Sequence, residues 1–316
     1  MLNISMRHLR YFDALARHRH FGRAAKACAI SQPALSVQIK ELEENLGAPL
    51  FERGGRQIRL TSLGEVFEAR VREILRAVDE LDDLARSASS SFTGRLRIGV
   101  IPTIAPYLLP AIIRELTRRY PRLDLRPREA VTQKLLDDLG EGRLDTAILA
   151  LPVAEPTLRE ITLFREEFVL VRSPEEAQKP VPCADRLREM RLLLLEEGHC
   201  FRDQAISFCR MATSPPRDLI EGSSLATLVQ MVASGIGVTL IPEMAVPVET
   251  RSADVSVARL AAPRPTRTVG MVWRRTHPLA DQLEQISRIF GDAEWRKGKG
   301  AAMTAVPLPG ETRRIS

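Results

Sequence analysis

Two cysteines stand nine residues apart in the run Gly198-His-Cys-Phe-Arg-Asp-Gln-Ala-Ile-Ser-Phe-Cys209. The run reads as a short helix. Nine steps along a helix advance about 13 Å and end on the opposite face, whereas a disulfide needs Cα atoms less than about 7 Å apart. Cys200 and Cys209 therefore cannot bond while that helix stands, and bonding would rebuild the local backbone, which is the logic of a redox switch. Cys200 has His199 and Arg202 as neighbours and lies near the start of a helix expected over Arg202–Arg210, where unsatisfied N–H groups and the helix dipole favour a thiolate. Cys209 follows Ile206 and Phe208 and is expected to begin as a protonated thiol among apolar groups, which separates an attacking thiol from a resolving one. The competing reading is two inert buried cysteines acting as small hydrophobes. Spacing alone tilts slightly toward that inert pair, so the rest of the chain has to decide.

The 316 residues suit two or three domains. No stretch approaches the roughly 18 apolar residues of a membrane span, and no apolar run precedes a cleavage site at the N-terminus. Few, unevenly spaced cysteines then point to a reducing cytoplasm. The formal charge is +6, and residues 1–62 hold ten Lys/Arg against five Asp/Glu, so +5 of it sits in the first fifth of the chain. A basic small domain joined to a near-neutral large one suggests a nucleic-acid reader attached to something else.

In that basic part, Leu9, Phe12, Leu15 and Ala16 mark a first helix over about Met6–Arg17, and Phe21, Ala24, Ala25 and Ala27 a second. Ser31 is a good N-cap, with Pro33 tolerated in the first turn of a third helix. Leu35, Ile39, Leu42 and Leu46 supply that helix's buried stripe, and Gly47 ends it. Two short helices, a tight turn and a third helix match a helix-turn-helix. Gln32, Pro33, Ser36 and Gln38 fall at its start, where Gln and Ser side chains can reach base edges, while Lys40 is placed for phosphate. Phe51 to Thr61 reads as a wing of two short strands carrying Arg53, Arg56 and Arg59 toward the DNA backbone. This gives a winged helix-turn-helix over residues 1–62.

Residues 63–91 hold a linker helix, uninterrupted to about Ser87, and a short Ser-rich joint. Phe67, Val71, Ile74, Val78, Leu81 and Ala85 alternate in steps of four and three, a heptad seam. A narrow apolar stripe with no second such helix in the chain calls for another copy, hence a homodimer; the alternative is packing on the chain's own domains.

Residues 92–296 alternate strand and helix. Strands are expected at Leu96–Ile101, Asp124–Ala130 and Asp145–Leu151, with helices over Pro106–Tyr120 and Thr132–Glu141. A second unit opens near Phe164 and includes Phe168–Val171, Leu192–Leu195, helix Ser223–Ser234 and strand Val238–Ile241. The chain then returns through Val269–Trp273 and helix Ala280–Gly291. Alternation of this kind implies α/β architecture with two parallel, doubly wound lobes, and such sheets bind ligands beyond the carboxyl ends of their strands. Two lobes joined by two crossings are similar to a periplasmic-binding-protein scaffold with a cleft between them. Residues 297–316 are rich in Gly, Pro and charge and are expected to be a disordered tail. No phosphate loop, metal-spaced His/Cys cluster or nucleotide fingerprint is present, so neither cofactor nor metal is expected, and no enzyme.

Together, Ser31-Gln32-Pro33-Ala34-Leu35-Ser36, Leu50-Phe51-Glu52-Arg53 and Val232–Pro242 resemble the LysR-type transcriptional regulators over nearly the whole chain. Ile101 to Pro110, Asp145–Leu151 and Gly198 through Cys209 resemble more narrowly the hydrogen-peroxide-sensing members of that family. The resemblance implies that Cys200 is the peroxidatic thiolate and Cys209 the resolving thiol. It implies that Thr103, Thr132, His199, Asp203 and Arg267 shape the peroxide pocket. It further implies promoter DNA as partner, a homodimer assembling to a homotetramer, RNA polymerase as the downstream contact, and glutaredoxin or thioredoxin as reductant. Donors near a thiolate would stabilise the leaving hydroxide. Within the same fold the alternative is a regulator gated by a small organic effector at Thr103 and Thr132, its cysteines inert. From other classes, a thiol peroxidase leaves the basic reader without a purpose, and a transport-linked binding protein lacks an export signal. Cys28 and Cys183 fall outside the switch.

Overall fold

The computed structural model describes residues 4–52, 58–87, 92–208 and 220–292. The chain divides after Ala85 into two compact units. In the first, α1 (Met6–His18), α2 (Phe21–Ala27) and α3 (Gln32–Leu46) precede the long α4 (Ser62–Ser87). The hydroxyl of Ser31 accepts from Ala34 N at 3.3 Å and starts α3, and Gly47, at φ +71°, ends it in the left-handed region. Phe12 is fully buried and meets Phe51 and Phe67 at ring-centroid distances of 5.3 and 5.0 Å.

Expectations for this unit are refined. Among the described residues the wing closes through an antiparallel bridge, Phe51 to Leu60, flanked by hydrogen bonds from Glu52 N to Arg59 O and Thr61 N to Leu50 O; Arg53, Arg56 and the rest of residues 53–57 lie outside the described residues. What anchors it is Glu43, a carboxylate turned inward from α3, whose Oε1 accepts from Leu50 N at 2.8 Å and Phe51 N at 3.1 Å. The seam of α4 is also divided. Val71 is buried and Phe67 packs into the core of its own helix-turn-helix, whereas Leu63, Val66, Ile74 and Leu81 are exposed. Cys28 is the C-cap of α2.

The second unit begins with β1 (Gly94–Val100), α5 (Ala105–Arg119), β2 (Leu123–Glu129), α6 (Thr132–Gly140) and β3 (Thr146–Leu151). Next come β4 (Leu158–Arg172), α7 (Ala184–Glu189), β5 (Leu192–Leu195), α8 (Cys200–Phe208) and β6 (Ile220–Gly222). It closes with α9 (Leu225–Ala233), β7 (Val238–Pro242), α10 (Val246–Glu249), β8 (Ser256–Arg259), β9 (Thr266–Arg274) and α11 (Ala280–Gly291). The strand order is β2-β1-β3-β9-β4-β7-β5-β6, with β8 on β4.

Each lobe keeps a parallel core, β2-β1-β3 in the first and β7-β5-β6 in the second. The strands joining them are antiparallel: β9 pairs with β3 and β4, and β4 pairs with β7. The sheet is therefore mixed rather than wholly parallel. Nor does β4 belong to one lobe, since its fifteen residues run through both. Continuous apolar runs such as Leu192–Leu195 and Val238–Pro242 are buried along their whole length, as strands covered on both faces must be. Each lobe has its own apolar core; Tyr107 packs against both. One buried polar knot lies in the first lobe. Asp145 takes Arg97 Nη2 at 2.7 Å and meets His277 Nε2 at 3.4 Å.

Candidate functional site

The thiol of Cys200 is free and opens α8, two residues earlier than the expected helix start. Gly198, at φ +93°, makes the turn that leads into it. Alternate sides of this short helix face different lobes. Phe201 and Ala205 are buried in the core of the second lobe, with Phe201 against Phe168 at 4.6 Å, while Cys200, half-buried, packs against the core of the first. Arg202 ties the helix down by donating to Leu195 O at 3.0 Å and pairing with Glu221. Cys209 lies outside the described residues.

Arg267 and Thr103 come together. The Arg267 side chain is completely buried; its Nη1 donates to Thr103 Oγ1 at 2.7 Å and its Nη2 to Thr103 O at 2.9 Å. The guanidinium also lies over the Phe201 ring, 5.6 Å from its centroid, so the cation sits beside the residue that follows Cys200. Since Thr103 Oγ1 accepts from a cation, its own O–H is left to donate, and more acidic for it. Thr132 begins α6; its Oγ1 is buried with no hydrogen-bond partner among the described residues.

His199 is partly buried, and burial lowers its pKa against the upward pull of Glu196 and Glu129, which favours the neutral imidazole. Asp203 differs from the others: it lies in the first turn of α8 but is exposed. Sequence reasoning passed over three groups. Gln204 stands one turn after Cys200, on the same helix face, with its carbonyl oxygen buried and unpaired among the described residues; the i, i+4 spacing was the available signal. Glu166 holds Arg267 Nε at 2.6 Å, and Tyr107 donates to Glu249 at 2.6 Å, contacts between residues far apart in sequence that no local pattern announces.

On the reader, Gln32, Pro33, Ser36 and Lys40 are exposed along the start and outer face of α3. Gln38 is half-buried and donates to Glu41 Oε2 at 2.9 Å; Lys40 pairs with Glu44 at 3.4 Å. Arg59 is exposed at the wing base. No helix among the described residues is long and apolar enough to cross a membrane.

A helix-turn-helix carrying an α/β sensor defines a bacterial transcriptional regulator, and comparison with known families agrees. Residues 6–65 match the bacterial regulatory helix-turn-helix of the lysR family and residues 89–293 the LysR substrate binding domain. The chain belongs to the LysR family and is a DNA-binding regulator.

Within that family the chain is similar to hydrogen-peroxide-inducible regulators. It is 45% identical over 294 residues to a probable hydrogen peroxide-inducible genes activator of Streptomyces viridosporus, covering 92% of this chain and 94% of that one. It is 42% identical over 287 residues to the DNA-binding transcriptional dual regulator OxyR of Escherichia coli, covering 90% and 94%. Among solved structures, a full-length OxyR variant from Pseudomonas aeruginosa aligns with TM-score 0.72 at 37% identity, covering 91% of this chain and 95% of that one. A hydrogen-peroxide-bound OxyR variant of Corynebacterium glutamicum aligns with TM-score 0.64 at 32% identity, covering 96% and 98%.

Proposed function

We propose that this regulator senses hydrogen peroxide through Cys200 and reports it to promoter DNA. The observation that carries the reading is the buried Arg267–Thr103 pair beside the helix that Cys200 opens. Hydrogen peroxide is small, uncharged and rich in hydrogen-bonding groups. The hydroxyl of Thr103 and the unpaired oxygens of Thr132 and Gln204 offer it matching partners, and neutral His199 can accept or donate.

The Cys200 thiolate attacks one peroxide oxygen, and the O–O bond breaks. The departing hydroxide gathers charge where Thr103, backed by Arg267, can donate to it, and leaves as water after taking a proton. Cys200 is then a sulfenic acid. Cys209 attacks its sulfur, the S–S bond forms and a second water leaves, so two thiols and one peroxide become one disulfide and two waters. While α8 is intact its nine residues hold Cys200 and Phe208 about 12 Å apart. The disulfide therefore requires the helix to unwind, and with it Phe201 must leave Arg267 and the second core. A dithiol reductant of the glutaredoxin or thioredoxin kind returns two electrons and resets the switch.

In this scheme residues 1–62 read DNA: Gln32, Ser36 and Gln38, with Pro33 fixing the helix start, face bases, and Lys40, Arg53, Arg56 and Arg59 face phosphates. Residues 63–91 pair two copies through the apolar side of α4 that is exposed in the single chain, and residues 92–296 sense. Two dimers form a tetramer whose rearrangement alters promoter binding and the approach of RNA polymerase, all in the cytoplasm. Asp203, exposed at the start of α8, is assigned to the rim of the pocket.

The deciding experiment is peptide mapping by mass spectrometry after brief micromolar peroxide without reductant. A Cys200–Cys209 linkage that disappears in Cys200→Ser supports the reading. Thiols that stay free and unoxidised overturn it and leave a regulator gated by an organic effector in the cleft.

A further inference from the structure

Arg267 is held from two sides, and only one of them belongs to the pocket. On β9 it stands directly opposite Glu166 on β4, an antiparallel register pair whose side chains share one face of the sheet. Both side chains are completely buried, with Nε donating to Glu166 Oε1 at 2.6 Å. The second carboxylate oxygen of Glu166 accepts from Met244 N at 3.3 Å, in the turn that follows β7 of the second lobe. Nε is thus gripped by a carboxylate anchored to the second lobe, while the terminal nitrogens grip Thr103 of the first. A planar guanidinium pinned at opposite edges has little freedom to rotate, and its central carbon lies over the Phe201 ring.

We propose that Glu166 is a positioning residue of the sensor, which by holding Arg267 Nε fixes the guanidinium against Thr103 and so sets how fast Cys200 reacts with peroxide. The inference rests on the peroxide reading above. Without Glu166 the buried cation loses both its counter-charge and its anchor, and it must move toward water or draw water in. Thr103 then loses the donor that makes its hydroxyl acidic. Glu166 touches no reacting atom; its effect passes wholly through Arg267.

The test follows loss of the Cys200 thiol under peroxide in the reduced full-length protein by quench and mass spectrometry, over pH 5 to 9. Glu166→Ala is expected to slow oxidation at least about tenfold, and adding it to Arg267→Ala to change the rate less than about twofold, because residues acting as one unit are not additive. Glu166→Gln keeps an acceptor for Nε and stays within about threefold of the parent at neutral pH, whereas Glu166→Asp, which withdraws the carboxylate by one methylene, slows the reaction several-fold. That second pair of variants decides the matter if the alanine form does not fold. Asp145→Asn removes a different buried carboxylate of the first lobe and leaves the rate unchanged. A parent-like rate in Glu166→Ala, additivity with Arg267→Ala, a slow Gln form beside a normal Asp form, or equal slowing by Asp145→Asn would each overturn the inference. If the parent Cys200 does not react at all, the peroxide reading itself falls; a reactive parent with an indifferent Glu166 removes only this inference.

Discussion

On α3, Gln32 and Ser36 stand in solvent, and Lys40 reaches no farther than Glu44 on the same helix. In the sensor, Arg267, Glu166 and Thr103 are buried and interlocked through four hydrogen bonds to side-chain and backbone atoms. These exposed polar groups of the reader add almost nothing to the fold, since exposed ion pairs contribute at most about 1 kcal/mol. Those of the sensor hold the fold, because a buried charge that loses its partner costs several kcal/mol, and in the proposed scheme they carry the chemistry as well. A reader can therefore change its target one side chain at a time. A sensor of this construction cannot exchange its pocket residues without re-solving the packing around them.

The sharpest way to break the comparison is Cys200→Ser, which should abolish peroxide-dependent change in promoter binding while leaving the melting temperature and DNA affinity of the reduced form intact; a retained response would place the chemistry elsewhere. Arg267→Ala should fail on both counts at once. Its Cys200 oxidation should slow by roughly 10²–10³, the usual effect of removing one charge-stabilising donor, and denaturation should show a loss of about 3–5 kcal/mol for the stranded Glu166.

Gln32→Ala is the counterpart on the reader. Operator binding should weaken by about 1–3 kcal/mol with the melting temperature unmoved, and Lys40→Ala should lower the slope of log K against log salt by about 1. A large stability loss in either would dissolve the contrast.

The last expected effect, confined to acid, tests a buried sensor carboxylate outside the proposed pocket. Burial alone would raise the pKa of Asp145, but His277 and Arg97 outweigh it and hold the carboxyl at about 2 against an ordinary 3.8. Its contribution is thus complete above about pH 4 and is lost as pH falls toward 2, about 2 kcal/mol in all. Acid titration of the denaturant midpoint, followed by fluorescence of buried Trp273, should show this step in the parent and not in Asp145→Asn.

The reader was legible in the chain because its signals are local: Ser31, Pro33 and Gly47 bound α3, and the Leu35, Ile39, Leu42 stripe is its buried face. Glu43 was not, since a carboxylate at a helix surface position looks solvated until the wing closes over it. The parallel cores of the lobes were readable from their alternation of strand and helix. The antiparallel junction was not, because apolar runs such as Val269–Trp273 are alike in either pairing. Of the pocket, Thr103 and Arg267 were reached through resemblance. Glu166 is visible only in the fold, because its partner lies about a hundred residues away, and Gln204 is signalled in the chain only by its i, i+4 spacing from Cys200, its unpaired oxygen appearing in the fold. The α4 stripe shows a further cost of periodicity: steps of four and three do not reveal that Phe67 and Val71 belong to the core of their own domain.

The fifteen residues of β4 have a mechanical consequence. Because one strand runs unbroken through both lobes and β9 is laced along its first part, the lobes share a girder where clamshell binding proteins have a flexible joint. The β9 ladder lies on residues 158–167 of β4 and the β7 ladder on residues 168–171, so any opening of the cleft has to bend β4 itself where its partners change. A bend in a strand held within a sheet is stiffer than the release of a part fastened from outside, and in the proposed switch α8, fastened by Phe201, Ala205 and Arg202, is that part.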